Sequence, residues 1–392
     1  YDSLLVKVCS FDRTFKGAAV KSLRALREMR IQGIKTNISF LINVINNPTF
    51  QAGACYTTFI EETPELFSLS QSPDRVSKIL DFLGDKIVNV SKGEKPYFED
   101  RVLPKYDETA LVYGAKDEFK KLGAKGFTQK ILGEKRLYVT DTSMRDAQQS
   151  LIATRMRTKD IVGAAKASNV IFQNAFSVEA WGGATYDTAY RFLKESPWKR
   201  LEILSERMPN TLIQMLLRAS NAVGYSNYPD NLDSLNWIEN MKMPVEEALK
   251  TGKIVEGSLC YTGDIMSPNE VKYTLDYYVE KAKELEAMGV HILAIKDMAG
   301  LLKPYAAQKL VETLKSELHI PVHLHTHDTT GAGVATVLKA AEAGLDIVDL
   351  AIESMSSCTS QPSLNVVVEA LKGTERDTGL DFEGLDELSR YY

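Results

Sequence analysis

From about residue 136 the chain repeats one unit, a short apolar run followed by an amphipathic stretch at helical spacing. The runs fall at 137–140, 176–181, 212–217, 254–261, 291–296, 322–327 and 347–352, with helical patterns between them, for example at 274–288 and 305–317. A strand that is apolar on both faces belongs to a parallel sheet covered on both sides, and alternation of strand and helix builds such a sheet. Polar residues gather at the C-terminal ends of these runs. That pattern predicts an α/β fold, a (β/α)8 TIM barrel over 136–392. Seven runs are one short of a closed barrel. The step from Tyr228-Pro229-Asp230-Asn231 to Leu232-Asp233-Ser234-Leu235 is where a helix and strand of roughly 20 residues would fit. Either that segment is deleted or the numbering closes over it near 231–232. We expect the second, because a seven-stranded barrel leaves unpaired backbone edges; an intact mass equal to 392 residues would contradict it.

Upstream, residues 1–68 read as a small α+β unit, with a strand at 4–9, a helix at 17–29, a turn at Gly33 and a helix at 38–46. Residues 69–135 carry turn-rich punctuation, Ser70-Gln71-Ser72-Pro73 and Ser91-Lys92-Gly93-Glu94-Lys95-Pro96, and read as a linker region with helices near 76–83 and 115–122. The chain opens inside a strand-like run without an initiator Met and stops in mid-helix. We expect a piece of a longer protein, truncated at both ends.

At 44% hydrophobic, 25% charged and net charge −5, the composition is that of a globular protein. No basic cluster suggests nucleic acid, no apolar run nears the ~20 residues of a membrane helix, and no signal peptide opens the chain. Cys9, Cys55, Cys260 and Cys358 lack CxxC spacing, which fits a reducing cytosol with thiols mostly buried.

The run His323-Leu324-His325-Thr326-His327-Asp328 holds three of the five histidines. On a strand these three share one face, so their imidazoles can converge on a divalent cation. The competing reading is a solvated strand end or histidines satisfied by core hydrogen bonds. Asp146, after the first run, can add a carboxylate ligand or cap a helix. Lys296, at the end of the fifth run, can be a desolvated amine, a salt-bridge partner of Asp297, or a carbamate made with CO₂; the residues alone favour the salt bridge. Arg218 can clamp a carboxylate or sit in a surface ion pair. Gln149 can bind a carboxylate or cap a helix, and Tyr225 and Trp181 can line the pocket or pack.

Five motifs lie in order, one per strand: Asp141-Thr-Ser-Met-Arg-Asp-Ala-Gln-Gln-Ser, Trp181-Gly-Gly-Ala-Thr, Leu217-Arg-Ala-Ser-Asn-Ala-Val-Gly-Tyr, Ala294-Ile-Lys-Asp-Met-Ala-Gly and His323-Leu-His-Thr-His-Asp. Together they resemble the carboxyltransferase domain of the biotin-dependent pyruvate carboxylase family. Residues 1–68 resemble the C-terminal part of its biotin carboxylase domain, and 69–135 part of its tetramerisation and allosteric linker region. The resemblance implies carboxyl transfer from carboxybiotin, carried on a domain absent here, to the enolate of pyruvate, giving oxaloacetate for anaplerosis and gluconeogenesis. Biotin is carboxylated at a separate site using ATP and Mg²⁺. The resemblance implies a divalent metal (Mn²⁺, Mg²⁺ or Zn²⁺) on Asp146, a carbamylated Lys296, His325 and His327. It leaves His323 as a packing residue. It places Arg218 and Gln149 at pyruvate, Tyr225 beside them, and Arg145 and Asp233 in support.

The resemblance further implies a homotetramer built from barrel dimers, in a bacterial cytoplasm or a mitochondrial matrix. Acetyl-CoA is an implied regulator, and so is cyclic di-AMP stacking on Tyr277, for which ordinary packing competes. The family has His where Gln148 stands, and the chain stops before the family's proton-relay Thr. Three alternatives are weighed: the carboxyltransferase subunit of oxaloacetate decarboxylase or transcarboxylase, against which residues 1–68 tell; a non-catalytic assembly fragment; and the acyl-CoA lyases and isopropylmalate synthases, which do not place Lys in an Ala-Ile-Lys-Asp context.

Overall fold

A computed structural model describes residues 4–29, 31, 34–68, 102–217 and 236–392. The chain divides into two compact units, Tyr1–Asp100 and Arg101–Tyr392. The expected turn at Gly33, the helix near 76–83 and the junction at 231–232 lie outside the described residues.

In the first unit, helix Phe15–Glu28 starts at Thr14, whose side chain accepts the Gly17 N–H at 3.0 Å. It buries Ala19, Leu23 and Leu26, and helix Ile38–Asn46 follows. Phe15 meets Phe50 and Phe40 meets Phe67, with ring centroids 5.6 and 5.1 Å apart. The strand expected at 4–9 does not form. That segment is exposed and pairs with no described strand. β-propensity without a paired edge does not make a strand.

The second unit is built on seven parallel strands: β1 (Tyr138–Asp141), β2 (Ser177–Gly182), β3 (Ile213–Leu216), β4 (Glu256–Cys260), β5 (Ile292–Asp297), β6 (Val322–Thr326) and β7 (Ile347–Leu350). Their order in the sheet is β3-β2-β1-β7-β6-β5-β4. β1 pairs with both β2 and β7, so the first and last strands sit side by side, as in a TIM barrel. β3 and β4 are the two unpaired edges among the described strands. The open side therefore falls between the two strands that flank the stretch where the sequence count is one short.

Residue alternation separates two cores. Leu293, Ile295, Leu324, Val348 and Val178 point outward and pack with the helices, including Leu310 and Leu314 of Pro304–Glu317 and Val337 of Gly333–Glu342. Tyr138, Ile292 and Ile347 point inward at the N-terminal end of the sheet. There they meet Phe127 and Ile131 of helix Ala115–Gly133. That helix runs beyond the expected 115–122 and breaks its dihedrals at Gly123, where φ is +69°. It closes the bottom of the barrel with apolar side chains. Above this plug the interior turns polar, and the polar end is the one where the strands terminate.

The thiols differ from expectation. Cys9, Cys55 and Cys358 are exposed and only Cys260 is partly buried. Cys9 and Cys55 lie on open segments of the first unit, and Cys358 on a loop with left-handed backbone.

Candidate metal centre

Parallel strands end at one face, so residues far apart in sequence meet there. β6 delivers His323 and His325 to the interior, and His327 follows one residue past its end. β1 leads into a single π-helical turn, Ser143–Ala147, closed by the Ala147 N–H on the Thr142 carbonyl at 3.1 Å. Such turns recur at functional sites because they re-aim side chains. This one turns Asp146 inward. Its side chain is not a helix cap.

Asp146 Oδ2 lies 3.3 Å from His325 Nε2 and 3.3 Å from His327 Nε2, and the two Nε2 atoms are 3.1 Å apart. The other nitrogen of each ring is already committed. His325 Nδ1 is 2.6 Å from Asp349 Oδ2, and His327 Nδ1 is 2.6 Å from the Thr359 carbonyl. With the ring protons on Nδ1, three lone pairs point into one small space. That donor set, with the second nitrogen held by a carboxylate or carbonyl, suits a divalent cation. These are the three residues that converge in metal-ligand fashion among those described.

Arg145 is buried beneath them. It donates to Asp146 Oδ1 at 2.8 Å, forms an ion pair with Glu179 on β2, and reaches Gln149 Oε1 at 3.4 Å. Burial alone would push the Asp146 carboxyl up, but Arg145, His325 and His327 hold it well below the ordinary carboxylate range. Burial pushes His325 down, yet Asp146 and Asp349 raise it to about 9. Gln148, which stands where the resemblance would have His, is fully buried. Its amide donates to the Met144 carbonyl at 2.7 Å and accepts the Met156 N–H at 3.0 Å, a role a neutral amide fills completely.

Lys296 does not pair with Asp297. Alternation puts them on opposite faces of β5. Asp297 is saturated by the N–H groups of Leu301 and Leu302 at 3.0 and 2.9 Å and by the Thr326 hydroxyl at 3.0 Å. Lys296 instead shares a face with His325, its register partner on β6, and makes no hydrogen bond or ion pair with the described residues. The expected Lys296–Asp297 salt bridge does not form, because neighbouring strand residues face opposite sides of the sheet. Trp181 packs, stacking on Trp198 with centroids 5.3 Å apart. Tyr277 sits edge-on against Tyr273 and Tyr278. Arg218, Tyr225 and Asp233 lie outside the described residues.

Besides Glu179, three residues that the sequence did not single out support the site. Gln361 donates to Asp146 Oδ2 at 2.8 Å and accepts from Thr142 at 2.8 Å. Asp349 holds His325, and Glu256 holds His323. Asp349 carried a legible signal, a lone acid on the inward face of an apolar strand. Gln361 carried none, since it follows a loop whose path only the fold decides.

The family model described as HMGL-like matches residues 231–391, and that described as the biotin carboxylase C-terminal domain matches 1–62. The whole chain is 50% identical to the pyruvate carboxylase of Staphylococcus aureus, and 45% identical to the mitochondrial pyruvate carboxylase of Homo sapiens. It spans 36% and 35% of their lengths. The Staphylococcus aureus alignment runs over 418 positions against 392 residues here, so about 26 positions have no counterpart in this chain. Among solved structures, the complete multifunctional pyruvate carboxylase from Rhizobium etli is 44% identical, with a TM-score of 0.73, covering 96% of this chain and 37% of that one. The carboxyl transferase domain of the Rhizobium etli enzyme with pyruvate is 45% identical, with a TM-score of 0.71, covering 81% and 58%. In sequence and in fold, this chain is similar over its whole length to about a third of a pyruvate carboxylase.

Proposed function

We propose that this chain carries the carboxyltransferase half-reaction of a pyruvate carboxylase. Carboxybiotin made at a separate site, with ATP and Mg²⁺, releases CO₂ at the C-terminal mouth of the barrel. Pyruvate gives up a methyl proton, which in the balance ends on the biotin nitrogen that CO₂ has left, and the resulting enolate carbon bonds to CO₂ to give oxaloacetate. The observation that carries this reading is the convergence of Asp146 Oδ2, His325 Nε2 and His327 Nε2 with both Nδ1 atoms occupied.

Asp146, His325, His327 and Lys296 as its carbamate would hold Mn²⁺, Mg²⁺ or Zn²⁺, which supplies Lewis-acid polarisation of oxygen when bound. An unpaired amine on the same face as His325 is a reasonable site for CO₂ addition, because an anionic carbamate is favoured beside a cation and an ammonium is not. Arg145 keeps Asp146 ionised and fixes its rotamer. Gln149, tethered to Arg145, and Arg218 hold pyruvate, with Tyr225 beside them. A preorganised donor at developing enolate charge is worth about 3 kcal/mol.

Biotin on a carrier domain, a homotetramer of barrel dimers and a cytoplasmic or mitochondrial-matrix setting belong to the same reading. No described helix is long and apolar enough to cross a membrane. A Rhizobium etli relative has been solved with the allosteric activator acetyl coenzyme A, which supports acetyl-CoA control here. Cyclic di-AMP binding at Tyr277 is the second regulatory proposal, and a titration of the full-length enzyme without saturable heat removes it.

The test is made in the full-length enzyme. His325→Ala should abolish pyruvate carboxylation while bicarbonate-dependent ATP cleavage persists. Near-normal oxaloacetate formation by that variant would overturn the reading.

A further inference from the structure

His323 is the histidine to which the resemblance assigns no role, and it is the most tightly held. Its ring is buried on the inner face of β6. Nδ1 lies 2.7 Å from Glu256 Oε2 on β4, and Nε2 lies 2.8 Å from Asp349 Oδ1 on β7. The second oxygen of Asp349 takes the Nδ1 proton of His325 at 2.6 Å. Four side chains from three strands therefore form one unbranched chain, Glu256–His323–Asp349–His325, ending at the metal centre.

Each link constrains the next. With a carboxylate on both nitrogens, His323 donates from both and has no lone pair left for a cation. By engaging Oδ1 of Asp349, it fixes the plane of that carboxylate and aims Oδ2 at His325. That contact sets the His325 tautomer, with the proton on Nδ1 and the free pair on Nε2 facing Asp146 and His327. Glu256 reaches His323 across the intervening strand β5, where the residue in register with His323 is Ala294. The small Ala294 side chain leaves that span open. Phe176 closes the ring's other side edge-on, with centroids 6.3 Å apart.

We propose that Glu256, His323 and Asp349 are positioning residues for the metal site, a hydrogen-bonded strut across β4, β6 and β7 that holds His325 in its metal-binding orientation. This rests on the metal-site reading above. Asp349 acts directly on His325, and Glu256 acts through two further side chains.

The test measures Mn²⁺ binding to the full-length enzyme by the paramagnetic resonance of free Mn²⁺, beside the unfolding midpoint of each metal-free variant. Asp349→Asn should weaken Mn²⁺ binding about 10–100-fold, the usual range for an outer partner of a ligand histidine. Glu256→Gln should weaken it by less, about threefold or more, on the same basis. The double variant should be no weaker than Asp349→Asn, because both act through one chain. A purely structural role would lower the metal-free midpoint and leave the affinity alone. Glu256 is partly exposed, so Glu256→Gln keeps the test open if Asp349→Asn fails to fold. Mn²⁺ affinity within about twofold of wild type in Glu256→Gln, or additive losses in the double variant, overturns the strut. A wild-type enzyme that takes up no Mn²⁺ removes the metal reading and the strut together.

Discussion

Asp349 and His325 share one hydrogen bond, 2.6 Å from Oδ2 to Nδ1, and it decides which way the histidine can act. Held there, His325 turns Nε2 toward Asp146 at 3.3 Å and His327 Nε2 at 3.1 Å. Without a cation, Asp146 holds His325 in its protonated form, raised to about 9; a divalent ion would take the place of that proton and bind all three groups at once. Metal should therefore stabilise the fold. Mn²⁺ at 100 times its Kd should add about 2.7 kcal/mol, seen as a rise in unfolding midpoint that a chelator reverses. His327→Ala should lose most of that rise. An equal rise in the variant would place the metal elsewhere.

Gln361 touches the same carboxylate from the other side. Its amide donates to Asp146 Oδ2 at 2.8 Å while Thr142 fixes its oxygen at 2.8 Å. Gln361→Leu keeps the approximate volume and deletes both bonds. Mn²⁺ affinity should fall about tenfold or more, with helical content by circular dichroism unchanged. Unaltered affinity would reduce Gln361 to packing.

Gly300 follows β5 with φ at +66°, and a Cβ there would stand 2.6 Å from the His327 carbonyl oxygen. The obstacle is backbone that carries a candidate ligand and cannot swing aside. Gly300→Ala should cost about 1–3 kcal/mol from the left-handed strain alone and displace His327 as well. Urea unfolding of the metal-free enzyme reads the first effect and Mn²⁺ titration the second.

Asp141 is fully buried at the end of β1, and burial pushes its carboxyl up to about 7 from an ordinary 3.8, against hydrogen bonds from Ser143 that lower it. The folded value is raised, so this group's stabilising contribution is full below 3.8 and is lost as pH rises through about 7. Asp141→Asn should flatten that part of the stability–pH curve and leave the variant the more stable form at pH 8, by at most about 4 kcal/mol at 1.36 per unit. Wild type proving the more stable at pH 8 would contradict the assignment.

Phe127 plugs the bottom of the barrel, stacked on Phe176 with centroids 6.1 Å apart. Phe127→Ala should destabilise the second unit by about 3–5 kcal/mol, measured by denaturant unfolding. A cost under about 1 kcal/mol would mean that the helix Ala115–Gly133 is not a structural floor.

The sequence by itself determined the β/α alternation and the strand positions, within a residue or two. Those patterns are local: apolar runs of strand length, amphipathic stretches, and turn residues between them. His325, His327 and Asp146 were also legible as candidates, since alternation and proximity to strand ends are written in order along the chain. What only the tertiary structure decided is which side chains meet. The segment at 4–9 pairs with no strand among the described residues. Lys296 turned away from its neighbour Asp297, because adjacent strand residues face opposite sides of the sheet. His323 proved to be anchored by Glu256 and Asp349, from strands 67 and 26 residues away in sequence. Gln361 came from a loop 215 residues beyond Asp146. Such partners carry no local signal, because hydrogen bonds between distant strands depend on sheet order and register, which a chain acquires only as it closes.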